Sequence, residues 1–365
     1  MVINVTRQGR ETDTLDTPGV YSSLDPSGLR NRLRTFPDQC LAAWRQTQAW
    51  HPPAAWGDLH RVVIGGMGGS AIAGDLVRDL VASPTAVPIT VLRDFQLPFG
   101  LDRHTLFIAC SFSGNTQETL SLLRRARQTP ARIITISGGG AMADLARDGG
   151  IPSLPVLTTG EPRSAVGYNL LLLLGVLNNL GLLALDQEEL DETVGALRRT
   201  VSRLAEGVPT AGNQAKQLAH NLKHQTLVVY GGGIFSATAR RWKTQLNENG
   251  KAWAFYEELP ELLHNSVEAF PMPSATGSPV MVVVLEPELR TSLLESRYRA
   301  IEDLLRWGDV PHNLVQGIGG PPLSQTLNMV LLGDYVSYYL GLLHGVNPSE
   351  TPAIDRGKQL LSKRG

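Results

Sequence analysis

The chain has 365 residues, more than one ordinary domain, and a size of roughly 150 residues per domain suggests two. Its formal net charge of −1, from 33 Lys and Arg against 34 Asp and Glu, excludes the basic footprint of a nucleic-acid binder. Hydrophobic residues make up 42%, enough for sizeable cores, yet no uninterrupted apolar stretch reaches the length, about 18 residues or more, that a membrane span needs.

The opening "MVINVTRQGRETD" lacks the basic-then-apolar pattern of a secretory leader, and two cysteines, Cys40 and Cys110, are too few for a disulfide framework. A reducing cytoplasm is the expected setting. Residues 1–36 show no period and carry Pro18, Gly19 and Pro26, so residues 1–50 read as an arm and a helix, the arm free to wrap a partner subunit. Strands are predicted at about 61–65, 88–93, 105–110 and 132–136, with helices starting near Ser70, Thr116 and Gly140. The segment 164–184, "SAVGYNLLLLLGVLNNLGLLA", is apolar nearly all round but broken by Gly, Tyr and Asn, which predicts a buried core helix. A join is expected near 205–215, where "EGVPTAGNQ" collects Gly, Pro and Asn.

Beyond the join the chain repeats itself. "VVIGGMGGSAIA" (62–73) and "VVYGGGIFSATA" (228–239) agree at seven of twelve positions without a gap. Each is a β-branched run, then glycines, then Ser-Ala opening a helical stretch. The fold class is therefore α/β: two tandem doubly wound parallel-sheet domains related by an internal repeat, spanning 51–205 and 206–365.

Chemistry is expected where strands run into helices, because ligands of an open parallel sheet sit at the carboxyl ends of its strands. "SFSGNT" (111–116) occupies such a place, between the strand 105–110 and the helical "TQETLSLLRRA". Hydroxyls of Ser111, Ser113 and Thr116 add donors without charge. Thr116 can cap the helix and Thr119 adds a hydroxyl in its first turn, where the open N–H groups and the helix dipole favour an anion. The loop reads as a phosphate cradle or as a plain serine-rich turn. In "GGMGGSAIAGD", Gly66, Gly68 and Ala71 match the dinucleotide form G-x-G-x-x-A, with Asp94 at a plausible distance. That reading leaves "SFSGNT" unexplained; a single phosphate held by Gly69 and Ser70 of the first loop and by Ser111, Ser113 and Thr116 of the second uses both.

The second copy differs. Its corresponding strand ends in "LEPELRT", where Glu286 and Glu288 would repel a phosphate, so one phosphate site per chain is expected. The second half instead offers "RWKTQLNENGKAWAFYEELPELLHN" (241–265), dense in polar residues around Trp253, Phe255 and Tyr256 as a strand-like run. His220 and His224 have the i, i+4 spacing of a metal pair, but no third ligand is in view and a polar helix face is the simpler reading. Thr351-Pro352 reads as an N-cap and a first-turn proline. Two turns before Lys358, Thr351 could share its face and reach a sugar near C2.

With "GGMGGSAIAGD", "SFSGNTQETL", "EPRSAVGY", "NENGKAWAF", "ELPELLHN" and "AIDRGKQLL" in this order, the first half resembles a sugar isomerase (SIS) phosphosugar-binding domain. The whole chain resembles the bifunctional phosphoglucose/phosphomannose isomerases of archaea and bacteria. The resemblance implies phosphate contacts from Ser70, Ser111 and Thr116, with Ser113 nearby. It implies Glu248 as catalytic base, His264 and Lys358 as ring-opening groups and Arg163 as the enediolate stabiliser. It also implies a homodimer in which the histidine comes from the partner chain. Asn265 is followed here by Ser266, where many relatives carry Glu.

The implied chemistry is self-consistent. An aldose 6-phosphate becomes a ketose 6-phosphate by ring opening and then proton transfer between C2 and C1 through a cis-enediol, which needs one carboxylate, a nearby cation and no metal or cofactor. The expected partner is a sugar 6-phosphate, with no nucleic acid and no membrane. A non-catalytic SIS-type sensor would have no use for Glu248, His264, Lys358 and Arg163 together. An amidotransferase-type isomerase would need a glutaminase domain with a cysteine after the initiator, where this chain has Val2.

Overall fold

The computed structural model describes residues 13–54, 56–81, 87–271 and 280–362. Three helices, α1 (Pro18–Leu24), α2 (Leu29–Arg34) and α3 (Phe36–Gln48), precede β1 (Arg61–Gly66), α4 (Gly68–Val81), β2 (Ile89–Leu92), β3 (Thr105–Ser111), α5 (Gln117–Ala126), β4 (Arg132–Ser137), α6 (Gly140–Asp148) and β5 (Ser153–Pro155). Helices α7 (Val166–Asn179) and α8 (Gln187–Leu204) then lead to the second set: α9 (Gln214–Leu222), β6 (Thr226–Gly232), α10 (Ser236–Glu248), β7 (Ala254–Leu259), β8 (Val280–Glu286), α11 (Ser292–Trp307), β9 (His312–Gln316), α12 (Pro322–Leu343) and α13 (Pro352–Ser362).

Two parallel sheets result, ordered β2-β1-β3-β4-β5 and β7-β6-β8-β9. The strands are near-continuous apolar runs because both faces are covered. In β1, Val62 and Ile64 join a central core while Val63 faces an outer one with Phe107, Ala109 and Met142. In the second sheet, Leu227, Val229 and Leu285 join the same central core, and Tyr230, Val282 and Val284 face α11. The central core runs between the sheets and contains α7 and α12, both buried nearly all round. Helix α7 is the one that the apolar segment 164–184 predicts. Among the described residues no helix is long and apolar enough to cross a membrane.

The N-terminal stretch departs from the expected free arm. Residues 1–12 lie outside the described residues, but from Leu15 onward the segment packs on its own chain, with Leu15, Tyr21, Leu29 and Leu33 buried. The buried Lys216 fastens it, its Nζ donating to Leu15 O at 2.7 Å, Glu206 O at 2.9 Å and Asp16 Oδ1 at 3.1 Å. Helices of six and seven residues place too few anchors for a period to show.

Helix α13 is the opposite case. From Pro352 to Leu361 only Gly357 is even half-buried, and Ile354, Leu360 and Leu361 are exposed.

Candidate active site

The first sheet reverses its winding between β1 and β3, which opens a crevice at their carboxyl ends. Strand β1 runs through Met67 into α4, where Ser70 is buried. A Cβ on Gly69 would lie 3.0 Å from Pro162 O and 3.4 Å from Arg163 Cα, so glycine is what lets the segment carrying Arg163 close onto this loop. After β3, Ser111 Oγ accepts from Gly114 N at 3.1 Å and lies 3.0 Å from Thr116 Oγ1. Gly114 has φ 68°, and a Cβ there would fall 1.7 Å from Gly139 O. The loop is braced from behind by Met142 N donating to Gly114 O at 2.9 Å and Ala141 N to Asn115 Oδ1 at 3.0 Å. Ser113 is exposed at its tip, accepting from Asn115 N at 3.2 Å.

Two details differ from expectation. Thr116 holds the N-cap position of α5, but its hydroxyl turns to Ser111 and caps nothing; Thr119 is wholly buried and offers the crevice no hydroxyl. The first-turn N–H groups of α5 therefore have no side-chain cap, which leaves them for a ligand.

Arg163 stands beside this crevice on a short 3-10 turn, Pro162–Ala165. Its guanidinium is buried and held by three anchors: Nε donates to Asn249 Oδ1 at 2.7 Å, and Nη2 to Ser349 O at 2.8 Å and Pro348 O at 2.9 Å. Asn249 is fixed in turn, donating to Ser337 Oγ at 3.1 Å. Nη1 points to Glu248 Oε2, 3.5 Å away. Behind it, Arg241 donates to Arg163 O at 2.8 Å while paired with Asp334 at 2.9 Å. Burial pulls the Arg163 guanidinium below its usual pKa, with Glu248 acting the other way, and burial raises that of Asp334. The carboxylate of Glu248, which ends α10, is about one-third exposed. An anchored, buried cation thus faces a partly exposed carboxylate beside the loop that opens α4.

The second sheet reverses at β6 and β8 in the same way, but its crevice is filled. Tyr298 is buried there, its hydroxyl accepting from Gly232 N at 2.7 Å and donating to Leu285 O at 2.8 Å, while Glu286 pairs with Arg290 at 2.6 Å.

A bacterial phospho-glucose isomerase C-terminal SIS domain matches residues 211–361. A bifunctional phosphoglucose/phosphomannose isomerase of Caldicellulosiruptor bescii is 34% identical over 307 residues, covering 84% of this chain and 91% of that protein. The chain belongs to this isomerase family. Among solved structures, a hypothetical protein from Thermus thermophilus superposes with a TM-score of 0.71 at 19% identity, covering 95% of this chain and 92% of that one. The tagatose-6-phosphate ketose/aldose isomerase of Escherichia coli gives 0.66 at 16% identity, covering 89% and 96%. These two likenesses bear on the fold.

Within one chain, Gly69 packs on the turn of Arg163, Arg163 faces Glu248, and Ser111, Ser113 and Thr116 lie on the loop after β3, the strand next to β1; other candidates stand apart. Among the described residues, no hydrogen bond or ion pair joins His264 or Lys358 to Glu248 or Arg163. His264 is exposed at the end of the 3-10 turn Glu261–His264 that follows β7. Lys358 is exposed on α13, 3.9 Å from Asp355 Oδ1. Thr351 is half-buried at the start of α13, its carbonyl accepting from Asp355 N at 3.0 Å.

The histidine pair of the sequence does not converge on a metal: His220 meets Asp13 at 2.8 Å, while His224 packs on His344, ring centroids 5.6 Å apart. Among the described residues, Asp58, His60 and His104 have ligand atoms close enough for an ion, at the opposite ends of the strands. Their imidazoles stack at 4.6 Å with planes 6° apart, and near-parallel planes cannot both contain one ion.

Asn249 and Lys251 also reach this site, and residue type alone does not mark them: both lie in "NENGK" beside Glu248, and Lys251, at φ 53° directly after a glycine, donates back to the carbonyl of Glu248.

Proposed function

We propose that the chain interconverts glucose 6-phosphate, and mannose 6-phosphate, with fructose 6-phosphate by metal-free proton transfer through a cis-enediol. The observation that carries this reading is the Arg163–Glu248 pair, 3.5 Å apart, at the edge of the β1/β3 crevice. The phosphate is taken by Gly69 and Ser70 N-terminal in α4, by Ser111, Ser113 and Thr116, and by the first turn of α5. With that end fixed, C1 and C2 reach Glu248, which moves the proton on one face of the enediol. Arg163 stabilises the enediolate oxygen; losing one such donor in a water-excluded site costs about 2.7–4 kcal/mol.

His264 and Lys358 open the ring, and Thr351 contacts the sugar near C2. Their exposure on one chain supports a homodimer whose sites are completed across the interface, with the apolar face of α13 (Ile354, Leu360, Leu361) covered there. Two SIS units, 51–205 and 206–365, follow the two sheets, and the free, buried Cys40 and Cys110 fit a reducing cytoplasm. The test is a coupled assay with fructose 6-phosphate that resolves the two aldose products. Binding without conversion to either would replace the enzyme with a sugar-phosphate sensor.

A further inference from the structure

The link between α12 and α13 is gripped from several sides before α13 leaves the body of the chain. Arg163 holds the carbonyls of Pro348 and Ser349. Ser27 Oγ lies 2.6 Å from Ser349 Oγ. Lys251 approaches from the turn after α10: its Nζ donates to Glu350 O at 2.6 Å, lies 3.4 Å from Pro348 O and also donates to the carbonyl of Glu248. One ammonium therefore ties the last residue of α10 to the end of the link, just before α13.

We infer that Lys251 is a positioning residue, clamping residues 348–350 onto the turn that carries Glu248 and so setting where α13 delivers Thr351 and Lys358. The inference rests on the isomerase reading above for its kinetic consequences and on geometry alone for the clamp. Lys251 is not itself the acid or base, because its three N–H groups are committed to three carbonyl oxygens and none is left for a substrate. The charged and titratable groups around it are Arg163, Glu248 and Glu350, with His344 reaching the same turn through Gly250 O at 2.8 Å. Burial, reinforced by the Arg163 charge, pulls the ammonium down to about 8. The clamp consequently loses its charge, and one of its three donors, as pH rises above that value. An arginine at this position would stay charged throughout.

The experiment compares wild-type protein with Lys251→Met and Lys251→Arg by amide hydrogen exchange of residues 345–351 and by fructose 6-phosphate kinetics from pH 6.5 to 9.5. Losing hydrogen bonds made by a charged group should speed exchange in this segment of the Met variant by about 10-fold or more, with the rest of the chain unchanged. Its kcat should fall by a similar factor while KM, set by the separate phosphate cradle, moves little. Wild-type kcat should decline as pH rises through about 8, and Lys251→Arg should flatten that decline. Wild-type exchange in the Met variant, or an unchanged alkaline decline in the Arg variant, overturns the inference. If wild-type protein does not turn over fructose 6-phosphate, the isomerase reading fails and the exchange comparison alone decides the clamp.

Discussion

Arg163 Nη1 and Glu248 Oε2 stand 3.5 Å apart, the first belonging to the turn after β5 and the second to the last residue of α10. The separation is long for a charge-assisted hydrogen bond, which is about 2.7–2.9 Å. The cation cannot swing closer, because Asn249, Pro348 and Ser349 hold its other nitrogens. No atom fits between the two, so on the isomerase reading a substrate would meet the free donor and the carboxylate side by side, its oxygen on the first and the neighbouring carbon's proton on the second.

Thr116→Val tests the cradle. The substitution keeps the shape of the side chain but removes the hydroxyl that meets Ser111 Oγ at 3.0 Å. KM for the sugar phosphate should rise about 10-fold, as one hydrogen bond to a charged ligand is lost, with melting temperature nearly unchanged. Steady-state kinetics at several fructose 6-phosphate concentrations give the answer, and an unaltered KM removes Thr116 from the phosphate site.

Assembly can be tested by complementation. Chains carrying Glu248→Gln and chains carrying His264→Ala should each be inactive. Mixed and reassembled, they form heterodimers in which one of the two sites has both an intact Glu248 and an intact partner His264. Activity should return to a substantial fraction of wild type. Heterodimers that form, by native mass spectrometry, yet stay inactive would put both residues in one subunit's own site.

Asp79 joins the two sheets and gives a pH signature. From α4 it accepts from Ala237 N at the start of α10 at 2.6 Å and from Arg78 at 2.9 Å. Burial raises its carboxyl from 3.8 to about 6 against the pull of Arg78. The folded value lies above the unfolded one, so the stability tied to this proton is fully present below about pH 4 and is lost as pH rises through about 6. Asp79→Asn cannot titrate. The melting temperature of wild type relative to this variant should therefore drop by about 2–4 °C between pH 4.5 and 7.5. A pH-independent difference would mean that Asp79 titrates normally.

The sequence carried the parts of this fold that repeat. Runs such as "VVIGG" and "LFIAC" alternate between two buried faces, so strands and their order along the chain were legible, as was the hydroxyl loop at the end of β3. Contacts made to backbone were not. Arg163 and Lys251 grip carbonyls of residues 348–350, and carbonyls leave no trace in residue identity. The filling of the second crevice by Tyr298 was equally invisible, because the tyrosine comes from α11 and meets Gly232 across 66 positions. The charge of Glu286 and Glu288 is a separate argument, and the first of them is paired with Arg290 at 2.6 Å.

Glu248→Gln separates binding from chemistry. The amide keeps the shape of the carboxylate and can still lie against Arg163, but it accepts no proton at neutral pH. General acid–base catalysis contributes about 10²–10⁴-fold, so kcat should fall by at least that order with little change in the affinity for fructose 6-phosphate. Solvent exchange sharpens the test. Working through an enediol in D₂O, wild-type enzyme should place deuterium at C2 of the glucose 6-phosphate it makes, and the Gln variant should lose this incorporation together with turnover. Incorporation that persisted at the wild-type rate would move the base to another residue, with His264 the first to examine. If turnover were lost in wild type while binding remained, the locked Arg163 and its facing carboxylate would be recognition elements alone.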